Sequence, residues 1–165
     1  MNPQVKQILN SVCVWIDATP VSQFIQGAPW VVPTVQTVHI LAIAALMASM
    51  LMINLRLLSV VGRDQPLARV AQRFSPVIWW ALPVLLVSGI ILITGEPARA
   101  LKNNIFQIKL LLVIGAIAVT AYFAAPLKKN PAFWDSRAGA GKVIALLSIG
   151  LWVGIIFAGR WIAYF

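Results

Sequence analysis

Acidic residues are scarce in this sequence: 4 Asp and Glu stand against 13 Lys and Arg, and only 10% of the 165 residues are charged. A domain with a solvated surface carries about a quarter charged residues, so a soluble globule is excluded. Histidine and cysteine are scarcer still, one of each, His39 and Cys13. A lone cysteine forms no internal disulfide, and Cys13, in a moderately apolar stretch, reads as a packing residue. One histidine without clustered cysteines or acids excludes a zinc site, and without an acid to orient it excludes a hydrolytic triad. No carboxylate falls inside a long apolar stretch, which removes the mid-depth titrating acid that proton-driven transport uses. The apolar and polar alternation of a transmembrane barrel is missing as well. No basic start followed by a long apolar run opens the chain, so no cleavable signal peptide is expected and the first span is expected to serve as the insertion signal.

What the chain has is hydrocarbon: 61% of its residues are hydrophobic, and its mean hydropathy is +0.89. Four stretches, approximately 31–55, 76–94, 105–125 and 143–164, have the roughly 20 residues that a hydrocarbon core of about 30 Å demands of a helix. The expected fold is all-α, an integral membrane bundle of four transmembrane helices forming a single membrane domain over residues 1–165. An N-terminal amphipathic helix over 5–16 places Val5, Ile8, Leu9, Val12, Trp15 and Ile16 at helical spacing and is too short to span, so it is expected to lie in the outer interface. Thr19-Pro20 is expected to end that helix, and Pro29, Trp30 and Pro33 to lead into the first span as rigid extended backbone. The segment reads either as a surface anchor or as a lid over a site near the outer face. Pro83 and Gly89 are expected to kink the second span. Of the 7 tryptophans, Trp30, Trp79, Trp80, Trp134 and Trp161 fall near span ends and read as belt residues.

Charge sets the expected orientation. The connection after the first span carries Arg56, Arg63, Arg69 and Arg73 against Asp64, and the connection after the third carries Lys128, Lys129, Arg137 and Lys142 against Asp135. Arg99, Lys102 and Lys109 against Glu96 mark the connection between the second and third, and Lys6 with Asp17 the N-terminal segment. The positive-inside rule places the first two connections in the cytoplasm and both termini in the periplasm of a bacterial inner membrane. The net charge of +9 is then a topology signal, with attraction for anionic lipid headgroups, and it implies no nucleic-acid partner.

Three polar residues fall where hydrocarbon is expected. His39 lies about 12 Å inward from the start of its span at 1.5 Å per residue. Arg160 ends the fourth span on the same side, and Lys109 enters the third span there. An imidazole below two cations suits a metal-centred amphiphilic dianion. Haem b has that chemistry: its iron takes a histidine nitrogen, its macrocycle takes apolar walls, and its propionates take Arg or Lys near the surface. His39 is the expected axial ligand and metal-binding residue, with Lys109 and Arg160 as propionate partners. Met47 and Met50 share the helix of His39 and cannot sandwich one haem with it, so the second position is open or filled by another chain, which makes a homo-oligomer part of the expectation. Gly150, Gly154 and Ala158, and the pairs Ala44 with Ala48 and Ala45 with Ser49, recur at small-residue packing intervals, either within one bundle or between chains. The duller alternative for His39 is a hydrogen bond to a hydroxyl such as Ser88 or Ser148, and for Arg160 and Lys109 it is snorkelling to the headgroups.

The run Thr37-Val38-His39-Ile40-Leu41-Ala42, continuing through Met52-Ile53-Asn54-Leu55-Arg56-Leu57-Leu58, resembles a bacterial family of small four-helix inner-membrane proteins of unknown function. So do residues 15–20 and the C-terminal Ala158-Gly159-Arg160-Trp161-Ile162-Ala163-Tyr164. The resemblance covers most of the chain and implies the fold. A looser similarity links the chain to four-helix membrane b-type cytochromes and to copper-resistance membrane proteins. Those present several histidines where this chain has one, although Met47, Met50 and Met52 offer soft Cu(I) ligands. The expected role is membrane electron transfer or haem-based sensing, with a redox partner or quinone. The alternatives are a cofactor-free membrane subunit or anchor of a larger complex and a quinone-binding or small-solute-binding protein. No catalytic residue is assigned.

Overall fold

The computed structural model describes residues 3–62, 64–127, 129–134 and 136–162. Arg63, Lys128, Asp135, Ala163 and Tyr164, with the side chains of Val5 and Lys6, lie outside the described residues. The described chain is all helical: α1 (Pro3–Asp17), α2 (Pro20–Gly27), α3 (Val31–Leu57), α4 (Leu67–Gly95), α5 (Pro97–Leu101), α6 (Asn104–Leu127) and α7 (Ala138–Trp161). Helices α3, α4, α6 and α7 are long and apolar enough to cross a bilayer. The chain is a multi-pass membrane protein.

Four local features differ from the sequence reading, each for an identifiable reason. Helix α4 begins at Leu67 rather than near 76. The charged positions Arg69 and Arg73 read as loop, yet a helix carries charges readily once it emerges from hydrocarbon, and Pro76 removes only one backbone bond. Residues 20–27 form a separate helix, α2. Thr19, in extended conformation, caps it by accepting from Ser22 N at 3.3 Å, and Pro20 takes the first turn, where its missing N–H costs nothing. The 29–33 segment is not extended: Trp30 is already helical, at φ −83° and ψ −20°, and Pro33 sits in the first turn of α3. Trp134 is buried, not a belt residue. Its Nε1–H donates to the Phe123 carbonyl at 3.1 Å, and its ring stacks on Phe123 at 5.8 Å, plugging the end of the bundle that carries the basic connections.

Helix α4 packs along α3, α3 against α7, and α7 along α6, whereas α4 and α6 share no extended backbone seam among the described residues. The bundle is therefore a ring with one side unclosed. Cross-helix neighbours give the antiparallel register: His39 faces Ser88, Asn54 Nδ2 donates to Ser148 Oγ at 3.1 Å, and a Cβ on Gly154 would meet Leu112 Cδ1 at 3.6 Å. On that register Leu46, Ala81, Ile155 and Leu112 stand at about one level. From there toward the basic connections the interior is packed, with Leu46, Met50, Ile53, Leu57, Ile78, Ala116, Phe123, Ala145 and Trp152 all buried. Toward the other end, which carries α1, α2 and α5, Ser88 is the one buried residue of the spans until Val31 and Gly95 are reached.

Those last two residues are buried because α2 lies over them. Ser22, at 0% exposure, donates from Oγ to the Thr94 carbonyl at 2.7 Å. A Cβ on Gly95 would come within 3.1 Å of Ile25 and 3.4 Å of Val32, so glycine is what lets α2 close on the α3–α4 hairpin. Helices α1 and α2 meet at 71°. The segment thus caps the end of the hairpin while leaving Ile8, Val12, Trp15 and Phe24 exposed, as an interfacial helix in contact with lipid requires.

Leu46 (0% exposed) packs in the shared interior, and Leu41 (64% exposed) faces lipid on the same helix. In a bilayer the transfer gain of burying either leucine is small, so the difference between them is interior packing alone. Leu46→Ala is expected to lower stability by about 2 kcal/mol through the cavity it leaves, and Leu41→Ala to leave the detergent-solubilised melting curve almost unmoved.

Candidate cofactor site in the unpacked half

The interior-facing stripe of α3 runs Leu57, Ile53, Met50, Leu46 and then His39, at intervals of three, four or seven residues. His39 therefore points toward the bundle interior beyond the packed zone, and it is only half-buried there. The corresponding stripe of α4 brings Ser88 opposite, with His39 Nδ1 and Ser88 Oγ 2.7 Å apart. Ser88 also lies 2.5 Å from the Val84 carbonyl. A hydroxyl has one proton, and the shorter contact to a pure acceptor claims it. His39 Nδ1–H then donates to Ser88 Oγ, which fixes the tautomer and leaves Nε2 with a free lone pair. Gly89 lies beside the ring: a Cβ there would make ordinary van der Waals contact with His39 Cε1 at 3.8 Å.

Lys109 reaches the same half from α6. The notional Cβ of Gly159 lies 3.5 Å from Lys109 Nζ and 3.7 Å from its Cε, so the ammonium rests against the bare backbone of α7. It is close enough to His39 for the two groups to interact electrostatically. Arg160 follows Gly159 and is exposed at the end of α7. The structure thus brings His39 and Lys109 into one unpacked interior and leaves Arg160 at its rim. Met47 and Met50 go elsewhere, Met50 into the packed core and Met47 against it. Ser148 is taken by Asn54, so Ser88 is the hydroxyl that His39 uses.

Sequence reasoning did not connect Gly89 with His39 or Gly159 with Lys109, the polar side chains that these glycines lie beside. A concavity of about 490 Å³ lies beside α2 and is lined by Asp17, Gln26, Val32, Gly95, Glu96 and Arg99 among others. It ends at Val32 and Gly95, about 10 Å of helix rise short of His39 and Ser88. Its Glu96–Arg99 pair, 3.0 Å apart and exposed, is worth little energetically.

A family described as a family of unknown function (DUF6644) matches residues 9–165. The chain belongs to that family. No curated protein and no solved structure matches it. The DUF6644 match spans α2 to α7, so His39, Ser88 and Lys109 all lie within it. Among the described residues no three His, Cys, Asp or Glu side chains gather as a metal-binding group. The donor set offered is one imidazole and an ammonium in apolar walls.

Across a membrane bundle a hydrogen bond of this kind is worth about 0.6 kcal/mol, with an upper end near 1.7. A double-mutant cycle of His39→Ala and Ser88→Ala is expected to return a coupling in that range. Nitrogen NMR of labelled His39 is expected to report a protonated Nδ1, and Ser88→Ala to shift it.

Proposed function

We propose that this protein binds haem b in the unpacked half of its bundle, with His39 Nε2 as axial ligand, and serves membrane electron transfer or haem-based sensing. The observation that carries the reading is the His39–Ser88 bond. A metal-ligating imidazole needs its other nitrogen held by an acceptor, and Ser88, its proton committed to Val84, is that acceptor. Lys109 supports one propionate from inside the same half, and Arg160 supports the other from the rim. The absence of carboxylates from the interior stripes fits an anionic guest, which an acid would repel. Bound haem supplies one-electron chemistry or exchangeable iron ligation. The chain's own task is to hold the ring between apolar side chains such as Val35, Leu85 and Leu112, to fix its iron with one imidazole, and to exclude water beneath α2. With Met47 and Met50 drawn into the packed core, a second protein ligand is expected from a second copy of the chain.

Orientation belongs to the same proposal. The α3–α4 and α6–α7 connections share one end of the bundle, and that end gathers Arg56, Arg69, Arg73 and Lys142 from the helix ends with Lys129 and Arg137 from the connection. In a bacterial inner membrane that end faces the cytoplasm, so α1, α2 and the site lie toward the periplasm.

Protein purified from haem-replete cells is expected to be coloured, with a Soret band that His39→Ala removes. Lys109→Ala and Arg160→Ala are each expected to weaken haem retention about tenfold, or ~1.4 kcal/mol for a lost charge-assisted contact. A colourless wild-type preparation overturns the reading. Co-purification of a colourless chain with a stoichiometric second protein would point instead to a subunit role.

A further inference from the structure

We propose that the unclosed side between α4 and α6 is a lateral opening, through which the outer-half site receives a membrane-dissolved acidic amphiphile from the surrounding leaflet. The inference rests on the site in the haem reading, and not on the iron.

The route from water is capped over the α3–α4 hairpin. Helix α2 is clamped across the hairpin by the Ser22 hydroxyl on the Thr94 carbonyl. Ile25 and Val32 pack over Gly95, tightly enough that a Cβ there would touch both. The concavity outside this cap stops at Val32 and Gly95, seven residues along each helix from His39 and Ser88.

The route from lipid is open by contrast. Three of the four sides of the ring are packed helix pairs, α3 with α4, α3 with α7 and α6 with α7, and the fourth is not. The fully buried core ends at the level of Leu46, Ala81 and Ile155, where Trp152 and Ala116 fill the interior and Leu85 of α4 packs against its edge. Beyond it the interior-facing residues Leu85 and Leu92 of α4 and Phe106 and Lys109 of α6 are all only half-buried. Pro83 stands close to the level where the packing ends. Proline removes a backbone bond and releases the carbonyl four residues back, so the outer part of α4 is free to stand away from α6. Charge completes the argument. An ammonium, Lys109, waits inside an opening that otherwise admits hydrocarbon, and no acid shares the interior stripes. An apolar molecule with an acidic head satisfies both, a lipid-soluble acid or haem alike.

The test uses the full chain in vesicles of phosphatidylcholine and phosphatidylglycerol containing a phospholipid with a diazirine on its acyl chain. After irradiation, adducts are mapped by peptide mass spectrometry. The lateral opening predicts adducts on the interior-facing Leu85 and Phe106 as well as on the lipid-facing Leu86 and Leu111. Bridging α4 to α6 with a bis-maleimide in a Leu85→Cys, Phe106→Cys, Cys13→Ser variant is expected to abolish adducts on interior-facing Leu92 and Lys109, and to leave those on Leu86 and Leu111. Adducts confined to Leu86 and Leu111 in the unbridged protein overturn the proposal, and so does labelling of Leu92 and Lys109 that the bridge does not change. Interior labelling in a chain that takes up no haemin keeps the opening and discards the haem reading. Haemin uptake without interior labelling does the reverse.

Discussion

A bilayer provides no hydrophobic force between helices, because lipid tails are as apolar as the leucines they replace. Helices hold together in it only where side chains interlock or polar groups find one another. This constraint divides the molecule in two. In the half with the basic connections, small residues and large ones interlock: a Cβ on Gly141 would press to 2.9 Å from Leu57, and Trp134 covers the junction. Asn54 and Ser148 tie α3 to α7, while Ser49 and Thr120 return their protons to their own helices, at 2.9 Å on Ala45 and 2.7 Å on Ala116. In the other half, among the described residues, tight interlocking is confined to α2 over Gly95, and the hydrogen bonds between helices include Ser22 to the Thr94 carbonyl and, deeper, His39 with Ser88.

The spans were legible in the sequence because a membrane helix needs only length and apolarity, and both can be counted. Their limits were less so. At Leu67–Ser75 two arginines sit on a helix that has already left hydrocarbon, and no hydropathy pattern records that. The start of α2 carried its own signature, Thr19 as cap and Pro20 in the first turn, but the same pair also ends α1, and only the ending was read. Trp134 failed for a different reason. A tryptophan near a span end has the same sequence context whether its indole meets headgroups or a backbone carbonyl, and the choice is made by Phe123, eleven residues away.

The site was legible as a depth and not as a set of contacts. His39, Lys109 and Arg160 could be placed toward one end by counting along each helix. Whether His39 takes Ser88 or Ser148 depends on the relative slide of antiparallel helices, which packing sets and composition does not. The glycine contacts were the least visible part. Gly89 lies beside His39 and Gly159 beside Lys109, neighbours that helix rotation and slide select and composition does not record.

Apolar membrane helices gain nothing from leaving an interior loose, since each unfilled contact forfeits dispersion energy that lipid would have supplied. A loose half that also contains an imidazole and an ammonium is therefore twice disfavoured, once in packing and once in desolvation. Under the proposed function both costs are offset by a guest that fills the space and contacts the polar groups, one that is apolar over most of its surface, able to accept from an ammonium, and able to meet an imidazole lone pair. The His39–Ser88 bond then has a second role beyond holding α3 to α4: by occupying Nδ1, Ser88 leaves the other nitrogen of His39 to such a guest.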